Sequence, residues 1–428
     1  MQRIIIEGQV PLKGTISVSG SKNATLPLMA AALLGDTVTT LSNVPDLQDV
    51  RTMAEVLRGL GAEVEFADNV MTIDPSRFDQ VEAPYETVRK MRASIYVMGP
   101  MLARLKRARV SLPGGCAIGS RPVDLHLKGF EFLGATVTLE HGYVVSETEG
   151  LRGSEFNLSG ATGSSVGATC NVVMAATLAE GTTVIHGAAR EPDVVELCEF
   201  LNRMGARIEG AGERSITVHG VTSLQGIDHT VVSDRIEAGT FMTAIAITGG
   251  DAIIERAPLA HMESTIAKLH EIGVQVESLS PTSCRVSGNV QDFLPTNIQT
   301  LVYPGFPTDM QAQFMALLSV VNGASTIREN IYVDRFMHVA ELNRMGADIR
   351  VASPGFATID GVPKLMGAPV MASDLRASAA LVVAGLAAEG KTIVNRVYHI
   401  DRGYERIETK LAGLGARITR DGKAFGEE

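Results

Sequence analysis

Cysteine is scarce in this 428-residue chain, and tryptophan is absent. The four cysteines, Cys116, Cys170, Cys198 and Cys284, follow no zinc or disulfide spacing. Reduced thiols in a cytoplasm are the simplest expectation. The nine histidines form no HExxH or other close pair, so no metal site is expected. No GxxxxGK[ST] and no strand-linked GxGxxG occurs, which removes the usual nucleotide-fold signatures. Long apolar runs are missing too. The stretch "ASAALVVAGLAA" is too short to span a bilayer, and "MQRIIIEGQV" lacks a signal-peptide pattern. Positive charge is also in deficit. A net charge of −10 argues against nucleic acid or an anionic membrane as the main partner. An anionic small-molecule substrate would need lysine and arginine gathered locally.

What the chain has instead is repetition. An apolar helix end, a glycine and a short strand recur at Gly61, Gly134, Gly205, Gly273, Gly346 and Gly415. The steps are 73, 71, 68, 73 and 69 residues, so six units of about 70 residues fill the chain. A second phrase keeps the same period: an Ala-rich helix, a tight turn and a strand, as in "AATLAEGTTVIHG" and "GLAAEGKTIVNR". Glycine after the apolar run is a helix stop, and the β-branched run after it is a strand. The Ala-rich helices are apolar almost all round and are expected to be buried. The second helices, such as "VRTMAEVLRGLG", are amphipathic and are expected to cover sheets. The expected fold class is therefore α/β: two domains of roughly 200 residues, three repeats each, with buried helices surrounded by sheets. Periodicity leaves open whether the strands "QRIIIEG" and "GTISVSG" pair with the first half or the second.

Chemistry concentrates at the starts of the buried helices. In order these read "SGSKNATLP", "VRKMRASIY", "GSSVGATCN", "SDRIEAGTF", "FPTDMQAQF" and "ASDLRASAA". Lys22 and Asn23, Arg92, Ser165, Arg235, Asp309 and Arg376 thus share nearly one register. Helix N-termini offer free N–H groups and positive potential, which suits phosphate and carboxylate. Asp234, Ser373 and Asp374 read first as N-caps. Lys22, Arg92 and Arg376 oppose the dipole and point to an anion held between cation and helix end. Asp309 reads either as a first-turn residue or as a base among cations. Arg402 stands beside a glycine that permits close ligand approach. One further stretch, "SLPGGCAIGSRP", sets Cys116 among Gly114, Gly115 and Gly119, which reads as a mobile, exposed loop.

The runs "SGSKNATLP", "RASIY", "LPGGCAIGSRPVDLH", "SVGAT", "DRIEAGTF", "FPTDMQAQF", "RFMHVAEL", "ASDLRAS" and "YHIDRGYERIETKL" resemble the enolpyruvyl transferase family of peptidoglycan synthesis, the UDP-N-acetylglucosamine 1-carboxyvinyltransferases. The resemblance implies two inside-out α/β domains: residues 1–21 with 233–428, and residues 22–232. It implies transfer of the enolpyruvyl group of phosphoenolpyruvate to the 3′-hydroxyl of UDP-N-acetylglucosamine, with no metal or redox cofactor. On the family motifs, Lys22, Arg121 and Arg402 would hold phosphoenolpyruvate, with Arg92 close by and Arg376 on its carboxylate. Asp309 would serve the sugar hydroxyl, and Cys116 would act as acid or as a gate. Asn23 would bind the glucosamine. Arg121, Pro122, Val123, Asp124, Leu125 and His126 would run strand-like along the uridine. Ser165, Val166 and Gly167 would cradle the diphosphate, and Ile331 would close on the nucleotide. One departure is Gly163, where some members carry lysine. Two rival readings are transfer to shikimate 3-phosphate and a non-catalytic repeat scaffold that binds a nucleotide sugar. Cys116→Ala is expected to keep the fold and abolish covalent labelling by an epoxide thiol reagent such as fosfomycin. Intact-protein mass spectrometry reads this, and full labelling of the variant would move the reactive thiol elsewhere.

Overall fold

The computed structural model of the chain describes residues 2–83, 85–88, 91–111, 123–161 and 163–422, with the side chains of Thr87 and Arg92 set aside. Cys116, Arg121 and Pro122 lie outside the described residues. The architecture is α/β. Among the described residues, twenty-four strands form six four-stranded sheets. The chain divides into two compact units, Met1–Ser19 with Ser233–Glu428 and Gly20–Cys116 with Ser120–Val232, apart from a short stretch of undescribed residues.

Both units use one repeating plan. A short edge strand leads into a buried helix, and the strand after that helix pairs parallel to the edge strand. Asn297–Gln299, the helix Gln311–Leu318 and Ala324–Arg328 show the plan, with Ile298 opposite Ile327. A cover helix and an antiparallel hairpin finish the sheet, here Asp348–Ser353 with Phe356–Asp360. Two sheets borrow strands from far along the chain. Arg3–Glu7 lies between Lys391–Asn395 and Arg417–Asp421, antiparallel to both. Lys13–Ser17 pairs parallel with Asp251–Glu255. In the other unit, Asp228–Thr230 supplies the leading strand beside Thr39–Ser42.

The six repeat glycines all end cover helices in the left-handed region, with φ of +103° at Gly61, +87° at Gly134, +113° at Gly205, +103° at Gly273, +92° at Gly346 and +90° at Gly415. A Cβ on Gly134, Gly346 or Gly415 would meet nothing within 4 Å, so backbone sign and not crowding selects glycine there.

The Ala-rich helices form the cores. Leu375–Ala387 is buried from Arg376 to Leu386. Its N-cap is Asp374, whose Oδ1 accepts from the N–H groups of Arg376 and Ala377, both at 3.0 Å. Asp234 caps Arg235–Ile247 in the same way, from Ile236 and Glu237 at 2.7 and 3.1 Å. Each unit has its own apolar cluster, one gathering Met29, Met101 and Val173, the other Phe241, Leu317 and Leu381. Cys170 and Cys198 are buried in helices and Cys284 in a strand. Burial pushes the Cys198 and Cys284 thiols up to about 12 and about 11, which suits inert core residues. Among the described residues, no helix is long and apolar enough to cross a membrane. Leu317 is fully buried in the core helix Gln311–Leu318. Leu317→Ala is expected to cost about 2–5 kcal/mol of stability through lost burial and a residual cavity, read as a lowered urea midpoint with unchanged slope.

Candidate active site

In the unit built on Ser233–Glu428, the residues of interest converge on Asp309. Asp309 sits in the 3-10 turn Thr308–Met310, which opens the core helix Gln311–Leu318. Its Oδ1 accepts from Arg335 Nη1 at 2.7 Å, and its Oδ2 accepts from Arg376 Nη2 at 3.0 Å. Both arginine side chains are almost fully enclosed, 5% and 4% exposed, whereas the carboxylate is 27% exposed. Burial alone would push the Asp309 carboxyl up. The charges and hydrogen bonds of Arg376 and Arg335 overcome it and hold the group well below the usual carboxylate range. Two guanidinium groups thus meet on one carboxylate, and Asp234 also acts on Arg376. His338, 2% exposed, adds no third charge, because burial and then the nearby Arg335 push it down to about 4 against the pull of Asp374.

A second carboxylate organises the surrounding loop. Glu329, 1% exposed, accepts at Oε1 from Thr300 Oγ1 and from the N–H groups of Ile331 and Tyr332. Its Oε2 accepts from Thr308 Oγ1 at 2.9 Å. Thr308 in turn accepts from Arg335 Nη1 at 3.0 Å. Ile331 is therefore fixed through its backbone to the turn that carries Asp309. Arg402 ends the 3-10 turn Val397–Arg402 and is half-buried. Burial, then its charge, lowers the neighbouring His399.

In the unit that begins at Gly20, Lys22 and Asn23 open the helix Lys22–Ala31 behind the N-cap Ser21. Lys22 Nζ lies 3.4 Å from Asp49 Oδ2. Ser165 caps the helix Val166–Ala176 by accepting from Ala168 N, and Val166 and Gly167 form its first turn. A Cβ on Gly167 would sit 3.2 Å from the His126 ring, so glycine permits this close approach. His126 Nδ1 accepts from Asn171 Nδ2 at 3.1 Å; the same amide nitrogen donates to Ile95 O, and Asn171 Oδ1 accepts from Gly99 N. Gly163 has φ of +101° and bonds reciprocally with Gly160, a conformation that a lysine would strain.

Two expectations need correction. Asp124, Leu125 and His126 are not strand-like; they begin the helix Asp124–Phe132, with Val123 at its N-cap. Asp124 in the first turn complements the dipole, and His126, Gly129 and Phe130 form its buried face. Arg92 opens the 3-10 turn Arg92–Val97 and Asp309 is the middle residue of Thr308–Met310, both ahead of their α-helices. The anions found beside Lys22 and Arg376 here are protein carboxylates, Asp49 and Asp309.

The model of the family described as EPSP synthase (3-phosphoshikimate 1-carboxyvinyltransferase) matches residues 6–411. UDP-N-acetylglucosamine 1-carboxyvinyltransferase of Trichlorobacter lovleyi is 53% identical over 98% of this chain and 99% of its own. The enzyme of that name from Geobacter metallireducens is also 53% identical, over the same shares. The chain belongs to the 1-carboxyvinyltransferase family. Among solved structures, the enolpyruvyl transferase NikO from Streptomyces tendae superposes with a TM-score of 0.89 at 25% identity, over 98% of both chains. EPSP synthase from Acinetobacter baumannii shares the fold, with a TM-score of 0.74 at 18% identity over 98% of this chain and 100% of that one.

For this enolpyruvyl transferase, the sequence reading missed Arg335 and Glu329. Arg335 opens the quoted run "RFMHVAEL", yet lies outside the helix-start register that drew attention to the other cations. Asp309→Asn is expected to lower stability by about 2 kcal/mol at neutral pH, because two enclosed guanidinium groups lose their shared anion. The depressed native carboxyl makes its contribution complete above the unfolded value of about 3.9. The gap between wild type and variant should thus be constant at neutral pH and begin to shrink as pH falls below about 3.9 toward the native value. Urea titrations across pH 3 to 8 measure it.

Proposed function

We propose that the chain transfers the enolpyruvyl group of phosphoenolpyruvate to the 3′-hydroxyl of UDP-N-acetylglucosamine and releases phosphate, the first committed step of peptidoglycan synthesis. The observation that carries this reading is the pair of enclosed guanidinium groups, Arg335 and Arg376, that meet on the partly exposed Asp309 carboxylate. Fixed, weakly screened donors of this kind suit a reacting group with a carboxylate and a phosphate. The names of the full-length relatives support the choice of substrates.

In this reading the sugar hydroxyl adds to C2 of phosphoenolpyruvate while C3 gains a proton, giving a tetrahedral intermediate. Loss of a proton from C3 and departure of phosphate then form the enol ether. Lys22, Arg121 and Arg402 bind the phosphate, with Arg92 near it, and Arg376 binds the carboxylate. Cys116 acts on phosphoenolpyruvate as acid or gates product release. Asn23 takes the glucosamine; Arg121, Pro122, Val123, Asp124, Leu125 and His126 line the uridine. Ser165, Val166 and Gly167 receive the diphosphate at the start of the helix Val166–Ala176, where N–H groups are available. Ile331 closes on the nucleotide.

Asp309 orients the sugar hydroxyl and accepts its proton. Gripped by two arginines it is a poor base, so the reading requires Arg376 to turn part of its charge to the substrate carboxylate first. That exchange raises Asp309 basicity only once phosphoenolpyruvate is present.

Phosphate release from phosphoenolpyruvate should depend on UDP-N-acetylglucosamine and fail with shikimate 3-phosphate. Release with the second acceptor alone would favour the rival transferase, and release with neither would favour a binding scaffold. Asp309→Ala should lower kcat by about a hundredfold or more, a typical loss for a proton-transfer group, while sugar-nucleotide affinity by calorimetry changes little. Equal loss of both would reduce Asp309 to a structural turn residue.

A further inference from the structure

We propose that Tyr404 is a positioning residue for the transfer reaction, its hydroxyl fixing the fork of Arg376 at the angle from which that group serves both Asp309 and the substrate carboxylate. The inference rests on the proposed role of Arg376. Tyr404 is 1% exposed, among the largest fully buried side chains of the protein. Its oxygen is the meeting point of three core helices. Thr240 Oγ1, on Arg235–Ile247, lies 2.9 Å away; Gln313 Nε2, on Gln311–Leu318, 3.3 Å; and Arg376 Nη1, on Leu375–Ala387, 3.2 Å.

The directions of these bonds follow from the proton count. Thr240 Oγ1 donates its one proton to Ile236 O at 2.8 Å. Tyr404 must therefore donate to Thr240, and its lone pairs accept from Arg376 and Gln313. Burial pushes the Tyr404 phenol up, despite the nearby Arg376, so it stays protonated and keeps this direction at physiological pH.

Arg376 Nη1 meets the phenol and Nη2 meets Asp309 Oδ2. The guanidinium is planar and rigid, so holding one nitrogen sets the other. Without the phenol oxygen, the enclosed cation would keep Asp309 as its hydrogen-bonded anion and rotate to donate to it more fully. Fewer donors would then face a substrate carboxylate. The same segment places Arg402, two residues before Tyr404. A Cβ on the intervening Gly403 would stand 2.5 Å from Leu375 Cδ2, so the segment lies directly on the start of the Arg376 helix.

The test compares Tyr404→Phe, Arg376→Ala and the double variant, with Thr240→Val and Thr240→Ser as a second arm. Readouts are kcat and KM for each substrate, with melting temperature alongside. Tyr404→Phe should lower kcat/KM for phosphoenolpyruvate about tenfold and leave KM for UDP-N-acetylglucosamine within about twofold. In the Arg376→Ala background it should add no further loss, because it acts through that side chain. Thr240→Val should shift the same parameter in the same direction, and Thr240→Ser should restore it. Unchanged kinetics in Tyr404→Phe beside an impaired Arg376→Ala overturn this inference alone, as do additive losses in the double variant. Silence in Arg376→Ala overturns the assignment of Arg376 and this inference with it. Should Tyr404→Phe not fold, the Thr240 pair decides: wild-type kinetics in Thr240→Val overturn the proposal.

Discussion

A helix that is apolar almost all round offers its free backbone donors only at its N-terminal end. That constraint governs this protein. Leu375–Ala387, Gln311–Leu318 and Arg235–Ile247 are enclosed along their length, and so are Lys22–Ala31 and Val166–Ala176 in the other unit. Backbone N–H groups at their N-termini require partners, and the chain supplies Asp374, Asp234, Ser21 and Ser165. Lys22, Asn23 and Arg376 stand within two residues of those caps, and Asp309 stands two residues before Gln311–Leu318.

Enclosure also sets the strength of the charges. Arg335 and Arg376 have lost most of their water, so their field at Asp309 is weakly screened. The penalty for placing them there is met by one carboxylate, one threonine hydroxyl and one phenol, each bonded to a named nitrogen. Arg335 Nε is buried without a hydrogen-bond partner, so the cluster keeps an unused donor beside Asp309.

The parts legible in the sequence were those that local backbone chemistry dictates. Six glycines at a fixed interval announced six left-handed helix stops, and each is one. Caps at Asp234 and Asp374 were legible because the residue type and the position agree. Asp124 to His126 read as strand-like on the family resemblance, whereas the buried face of His126, Gly129 and Phe130 makes them the start of a helix. Arg335 and Glu329 were missed for another reason. Neither belongs to a repeat register, and their importance arises only when the loop they hold folds back on Thr308. Periodicity also left the partner of Arg3–Glu7 open, since pairing across such a distance leaves no local signal.

That distant pairing bears on how the molecule is made. Ile4 aligns with Val394 on one side and Arg420 on the other, so Arg3–Glu7 waits for strands made about 400 residues later. The Gly20–Val232 portion draws all its sheet partners from within itself and can close while synthesis continues. Until Lys391–Asn395 and Arg417–Asp421 are made, an Ile-rich ribbon with both edges bare travels on the nascent chain. Shielding that ribbon is a task for chaperones and for the speed of synthesis.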